Sequence, residues 1–397
     1  MNIPIIPGFR FSTVAAGIRK DGRVDLALAV ADAPAVTAGV FTRNLVRAAP
    51  VILASERVRA GGVRGVLVNS GCANACTGDA GLAAALTSTR AVAEALELPE
   101  ASLLPASTGV IGELLPAARI AAKAAELARG LGPERAGDFA RAILTTDRWE
   151  KVSSCRFGAA GGEVSLLGIA KGAGMIHPDL GPDAPPQATM LAFLFTDARV
   201  ERATLERALM TAVDSTFNAC TVDGDTSTND TVLAFASGAS GRAVSEAELA
   251  AALGRVCAEL ARSMVADGEG AEHVAEIRVS GLASASDARQ VARTVATSLL
   301  VKTAIFGRDA NWGRLLAAAG RAGVRFEPSA ARIAIGGVEL VRGGLATGGD
   351  ADARATVELA KQEVVIELSL GDGPGAFTYL ASDLGHGYVD VNASYRS

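Results

Sequence analysis

Apolar positions recur at helical spacing in four Ala-rich segments, residues 81–98, 116–132, 245–268 and 286–306, and each predicts an amphipathic helix. Between them lie short runs rich in β-branched and aliphatic residues: "GVLVN" (65–69), "EVSLLGIA" (163–170), "MLAFLF" (190–195), "TVLAFAS" (231–237), "EIRVS" (276–280) and "EVVIELSL" (363–370). These predict strands, some apolar on both faces. Helices interleaved with strands predict a layered α/β protein. One stretch breaks the pattern. "HPDLGPDAPPQ" (177–187) carries four prolines and one glycine, which suit neither a helix nor a central strand, so an exposed loop is expected to lead into Ala188 and Thr189.

Composition narrows the function classes. A chain of 397 residues that is 49% hydrophobic and 20% charged can bury a large core. A net charge of -5 and 4% aromatic residues supply neither the basic surface nor the stacking platforms that nucleic acid needs. No apolar run approaches the roughly 20 residues of a membrane span, and the first residues lack a basic segment followed by a long apolar one, so a cytoplasmic protein with no membrane partner is expected. Five cysteines (72, 76, 155, 220 and 257) fit reduced, mostly buried thiols. Cys72 and Cys76 could be written as half of a metal site, but the three scattered histidines do not supply the other half, so core thiols are the better reading and no metal is expected.

Familiar catalytic templates fail. "KGAGMIH" lacks the third glycine of a dinucleotide loop, and neither a phosphate-binding G-x-x-x-x-G-K-[ST] nor a G-x-S-x-G elbow occurs. "DGDTSTNDT" (223–231) resembles a calcium loop, but Thr228 and Ala234 stand where glycine and a bidentate glutamate are required. A tight turn held by local side-chain to backbone hydrogen bonds is the better reading. Thr189, at the edge of an apolar strand, becomes a nucleophile only with a nearby base, and cutting the bond before it would supply its own α-amine, with a pKa of about 7.7–8.0. "PASTGVIG" (105–112) then offers an oxyanion hole in the Gly109 N–H and the Thr108 hydroxyl. A buried strand starting at Thr189 and a type II turn at Thr108–Gly109 explain the same residues without chemistry.

Eight motifs in one order go further. "VLVNSGCANACTG" (66–78), "STGVIG" (107–112), "LTTD" (144–147), "KGAGMIHP" with "ATML" (171–178 and 188–191), "TVDGDTSTNDT" (221–231), "DGEGA" (267–271), "KTAIFGRDANWGRLLAAAGRAG" (302–323) and "SDLGHGYVDVNASYRS" (382–397) together resemble the ornithine acetyltransferase family, also called glutamate N-acetyltransferase, of arginine biosynthesis. The resemblance runs the length of the chain. It implies an α/β layered sandwich of the ornithine acetyltransferase or DmpA-like self-processing fold. It also implies autocleavage at Ala188–Thr189 into an α chain (1–188) and a β chain (189–397) that assemble as an α2β2 heterotetramer.

The implied reaction moves acetyl from N2-acetyl-L-ornithine to L-glutamate through an acetyl-threonine. Thr189 is the implied nucleophile, with Thr108 and Gly109 as oxyanion hole. Substrate-binding positions fall on Thr145 or its neighbour Thr146, Lys171, Thr189, Glu269, Asn392 and Ser397. No metal, nucleotide or organic cofactor is implied. Acetyl-CoA is a co-substrate only in bifunctional members, which share these motifs with monofunctional ones.

The chain departs from the family pattern in three places. Nine residues (179–187) separate Pro178 from Ala188 where two are usual, an insertion next to the bond to be cut. "GAEH" (270–273) replaces "GATK", and Cys72 replaces an asparagine, so Glu272, His273 and Cys72 are candidates for retuning the pocket. Two other readings stay open: a paralogue or aminopeptidase-like hydrolase acting on another acylated amino acid, and an unprocessed binding protein. Lys302, Arg308, Asp309 and Trp312 read as architecture.

Overall fold

The computed structural model describes residues 3–159, 161–181 and 190–394. The chain divides into two compact units, one built mainly from residues 1–218 and 225–264, the other from 219–224 and 265–395. Ala188, Thr189, the rest of 182–187 and Ser397 lie outside the described residues.

The first unit contains two sheets. One has four strands in the order Phe9–Val14, Leu26–Ala31, Gly65–Cys72, Leu103–Val110, the last two parallel. The other has six, in the order Lys151–Ala159, Gly162–Lys171, Leu191–Thr196, Thr231–Ala236, Val36–Thr42, Leu180–Gly181. Strand periodicity assigns the two faces. Ala27, Ala29 and Ala31, with Val66 and Val68, face the second sheet and meet Leu191, Phe193 and Phe195. Leu26, Leu28, Val30 and Leu67 face the other way, onto helices Gly78–Ala95 and Ala117–Arg129. Phe195 sits edge-on to Phe9 and Phe11 and stacks on Phe235, with centroids 5.2, 5.2 and 5.5 Å away, which locks the two sheets together. Helix Glu246–Ala266 covers the second sheet where Gly168 leaves room for Val256 and Leu260. Ser245 and Glu248 cap its start reciprocally.

The second unit is a seven-stranded sheet, Cys220–Thr221, Gly373–Ser382, Val274–Gly281, Glu363–Ser369, Arg332–Ile335, Val338–Arg342, Leu345–Ala346, packed against helices Ala285–Ala296, Leu299–Phe306, Trp312–Gly320 and Ala351–Leu359. Lys302 is 2% exposed there and donates to the Ser382 carbonyl and, at 3.1 Å, to Ser382 Oγ. Burial lowers its pKa to about 8, although Asp383 and Asp223 pull it upward. Between pH 8 and 10.5 the unfolded lysine therefore binds more protons than the folded one, and stability rises with pH across that window. Urea unfolding at pH 7.5 and 9.5 should show wild type gaining about 2 kcal/mol on Lys302→Met. An equal pH response of the two proteins would contradict this.

All six predicted strands form, and the layered α/β class is observed. Among the described residues no helix is long and apolar enough to cross a membrane. Three expectations are corrected. The single helix over 286–306 is two, because Thr297 Oγ1 turns back onto the Arg293 carbonyl (2.9 Å) and Ser298 is extended, with ψ 114°. Thr108 and Gly109 lie in a strand rather than a type II turn. The start of the expected exposed loop is mostly buried: Leu180–Gly181 pairs with Phe41 and Thr42, and the Asn218 amide holds both the N–H (2.8 Å) and the carbonyl (3.0 Å) of Leu180 as a strand neighbour would.

Candidate active site

In the first unit, the C-terminal ends of strands Gly65–Cys72 and Leu103–Val110 are tied by buried amides. Ser107 Oγ donates to Asn69 Oδ1 (2.6 Å), Asn69 Nδ2 to the Cys72 carbonyl (2.8 Å), and Asn229 Nδ2 to the carbonyls of Ala73 (2.6 Å) and Ser107 (2.8 Å). Asn229 belongs to the acidic stretch expected to bond locally, and it does so where Ser227 Oγ accepts its N–H (3.4 Å) and Thr231 Oγ1 donates to its carbonyl (3.1 Å), but its Nδ2 also reaches residues more than a hundred positions away. This lattice fixes Thr108 and Gly109. Gly109 has φ 132°, and a Cβ there would lie 2.3 Å from the Gly71 carbonyl carbon, so glycine is required.

Lys171 ends strand Gly162–Lys171 on the other sheet and is fully buried. Its ammonium donates to Thr108 Oγ1 (3.1 Å) and Thr145 Oγ1 (2.7 Å). Three residues singled out from the sequence, Thr108, Thr145 and Lys171, thus meet at one point, with Gly109 adjacent. Of the two neighbouring threonines, Thr145 is the one on the lysine. Lys171 pairs across the ladder with Leu191, and on the opposite side Met190 donates its N–H to Asp230 Oδ1 (2.6 Å) while Thr231 pairs with Leu191. The chain just after Thr189 is therefore held between Lys171 and a buried carboxylate.

The sequence reading missed Asp147, Lys151, Asn229 and Asp230. Burial would raise the Asp147 carboxyl, but Lys171 and Lys151, with hydrogen bonds from Lys151 and the Thr145 N–H, hold it well below the usual carboxylate range. The available signals are the aspartate of "LTTD" and the four-residue spacing from Asp147 to Lys151.

In the second unit, Asn392 Nδ2 donates to Glu269 Oε2 (2.9 Å), so these two expected substrate-binding residues also meet. The loop carrying Glu269 lies against helix His386–Ser394 so closely that a Cβ on Gly270 would fall 2.1 Å from the Tyr388 nitrogen. That contact docks the C-terminal segment, which would otherwise fray. His273 is buried, with Nδ1 2.7 Å from Asp383 Oδ2. Cys72 is buried in the first unit with Sγ 3.3 Å from the Glu113 carbonyl, and burial raises its thiol pKa. Among the described residues no cluster of His, Cys, Asp and Glu is arranged to hold a metal ion.

A layered α/β protein with a buried ammonium bridging two threonine hydroxyls beside a glycine in a glycine-only conformation is the class that fold and site define, and such groups suit polarising an acyl oxygen. The ArgJ family model matches residues 10–397, and the chain belongs to that family. It is 49% identical over 394 residues to the arginine biosynthesis bifunctional protein ArgJ of Nitratidesulfovibrio vulgaris, covering 98% of each chain. It is 48% identical over 399 residues to the protein of that name from Geobacter sulfurreducens, covering 99% of this chain and all of the relative. Among solved structures, that of arginine biosynthesis bifunctional protein ArgJ from Bacillus halodurans aligns with TM-score 0.50 and 38% identity, over 51% of this chain and 98% of the other.

Proposed function

We propose that this chain is an ornithine acetyltransferase of arginine biosynthesis, moving acetyl from N2-acetyl-ornithine to glutamate. The observation that carries the reading is the Lys171 ammonium on the hydroxyls of Thr108 and Thr145, beside Gly109. Thr189 Oγ1 attacks the acetyl carbonyl while its α-amine takes the hydroxyl proton, and the tetrahedral oxyanion is met by the Gly109 N–H and the Thr108 hydroxyl. The proton passes to the ornithine nitrogen, the C–N bond breaks, and ornithine leaves an acetyl ester on Thr189. Glutamate's amine then attacks the ester, the Thr189 oxygen recovers a proton, and N-acetylglutamate departs. Glu269 and Asn392 bind substrate, as does Ser397.

Thr189 gains its α-amine when its own hydroxyl attacks the Ala188 carbonyl and water opens the resulting ester, giving fragments 1–188 and 189–397. The Bacillus halodurans alignment supports such a division, since nearly all of that chain corresponds to half of this one. The fragments assemble as an α2β2 heterotetramer, which light scattering would report at about twice the 40.2 kDa of one chain. The relatives' description as bifunctional supports a second activity, acetylation of glutamate from acetyl-CoA.

Acetyl-ornithine should disappear only when glutamate is present, with equal amounts of ornithine and N-acetylglutamate formed. Consumption at the same rate without glutamate would replace transfer by hydrolysis. Acetylglutamate and free CoA formed from acetyl-CoA and glutamate, with no acetyl-ornithine present, test the second activity.

A further inference from the structure

Asp147 touches Lys171, the residue after it, and Thr145 without being one of the expected substrate contacts. Its side chain is fully buried. Oδ1 accepts from Lys151 Nζ (2.7 Å) and from the N–H of Gly172 (2.6 Å), the residue after Lys171. Oδ2 accepts the Thr145 N–H (3.0 Å) and lies 3.8 Å from Lys171 Nζ. One carboxylate therefore grips the backbone next to the lysine and the backbone of the lysine's hydroxyl partner.

The direction of these bonds matters. An ammonium only donates, so Thr108 Oγ1 and Thr145 Oγ1 must both accept from it. A hydroxyl oxygen that accepts from a cation has its own proton turned away and is polarised toward donating it. Thr108 is thereby prepared as a donor rather than an acceptor.

We infer that Asp147 is a positioning residue for acetyl transfer: it fixes the Lys171 ammonium on Thr108 Oγ1, which turns the Thr108 hydroxyl proton toward the oxygen that becomes negative. This rests on the acetyl-transfer reading above. Asp147 acts through Lys171 and touches no substrate, which separates it from a residue that merely binds ornithine or glutamate.

The test is a double-mutant cycle with Asp147→Asn and Thr108→Val, scored on glutamate-dependent acetyl-ornithine turnover, with kcat referred to the fraction of protein cleaved at 188/189. Asp147→Asn is expected to lower kcat about 10–100-fold with KM changed less than about 3-fold, and to cost less than about 3-fold once Thr108 is valine, because both changes remove the same donor. Additive losses would assign Asp147 a structural role and overturn the inference, as would a raised KM with kcat intact, or an uncleaved Asp147→Asn protein that melts like wild type. Should Asp147→Asn fail to fold, the cycle is run in Lys151→Met, where removal of the carboxylate leaves one fewer buried cation. Absence of turnover in the unaltered protein overturns the acetyl-transfer reading itself, whereas turnover with an additive cycle overturns only the role of Asp147.

Discussion

Thr189→Ala is expected to give one uncut chain of 397 residues and to lower acetyl transfer by at least about 10^3-fold. In the proposed mechanism the substitution removes the oxygen that opens the 188/189 bond and, because that bond stays closed, also withholds the α-amine that would serve as base. Two functions vanish with one hydroxyl, so the effect exceeds that of losing either alone. Thr189→Ser keeps an oxygen at the same position and should still cleave and turn over. Intact mass beside a turnover assay checks both. Two fragments from Thr189→Ala, or full activity from an uncut wild type, would sink the nucleophile assignment. The same spectra report whether the 179–187 insertion permits cleavage, since Asn218 and strand Val36–Thr42 anchor Leu180 and Gly181 at its start.

Gly109→Ala should reduce kcat by about 10^2–10^3-fold, the range found when one oxyanion donor is lost. No side-chain rearrangement relieves the clash. The added Cβ would sit 2.3 Å from the Gly71 carbonyl carbon and 2.6 Å from the Cys72 nitrogen, both backbone atoms, and φ 132° is strained for any L side chain. The strand must shift, and the Gly109 N–H moves with it. Stability should fall as well, since the Cys72 carbonyl, one residue from Gly71, belongs to the amide lattice of Asn69 and Ser107. A variant that melts and turns over like wild type would show that Gly109 is not needed in this conformation. KM for acetyl-ornithine should change far less than kcat, because Lys171 and Thr145 stay in place.

Much of this was legible in the chain because the signals are local. Strand 191–196 announces itself by an apolar run, and helix Glu246–Ala266 by its period and its Ser245–Glu248 cap. Strand Leu26–Ala31 was missed for a physical reason. "LALAVA" is a short apolar run too, but five of its six residues are leucine or alanine, strong helix formers, and only Val30 is β-branched, so its residue types do not mark a strand.

The site divides the same way. Sequence motifs named Thr108, Gly109, Thr145 and Lys171 through resemblance, and placed Thr189 at a strand edge. They carried no distance between Thr108 and Lys171, which are 63 positions apart and on different sheets, nor between Glu269 and Asn392, 123 apart. Asp147 is not legible as a site residue because "LTTD" carries only its residue types. Its meaning depends on Lys151, Lys171 and Gly172 converging on one carboxylate inside the core.

By itself the sequence determined the family and the layered α/β class, and it proposed the reactive hydroxyl, since these are written in residue types and their order. Only the tertiary structure decided which groups touch, which way the hydrogen bonds run, and that Thr108 and Gly109 lie in a strand rather than a turn. Contacts between distant segments arise from packing two sheets face to face, and no local pattern encodes that convergence.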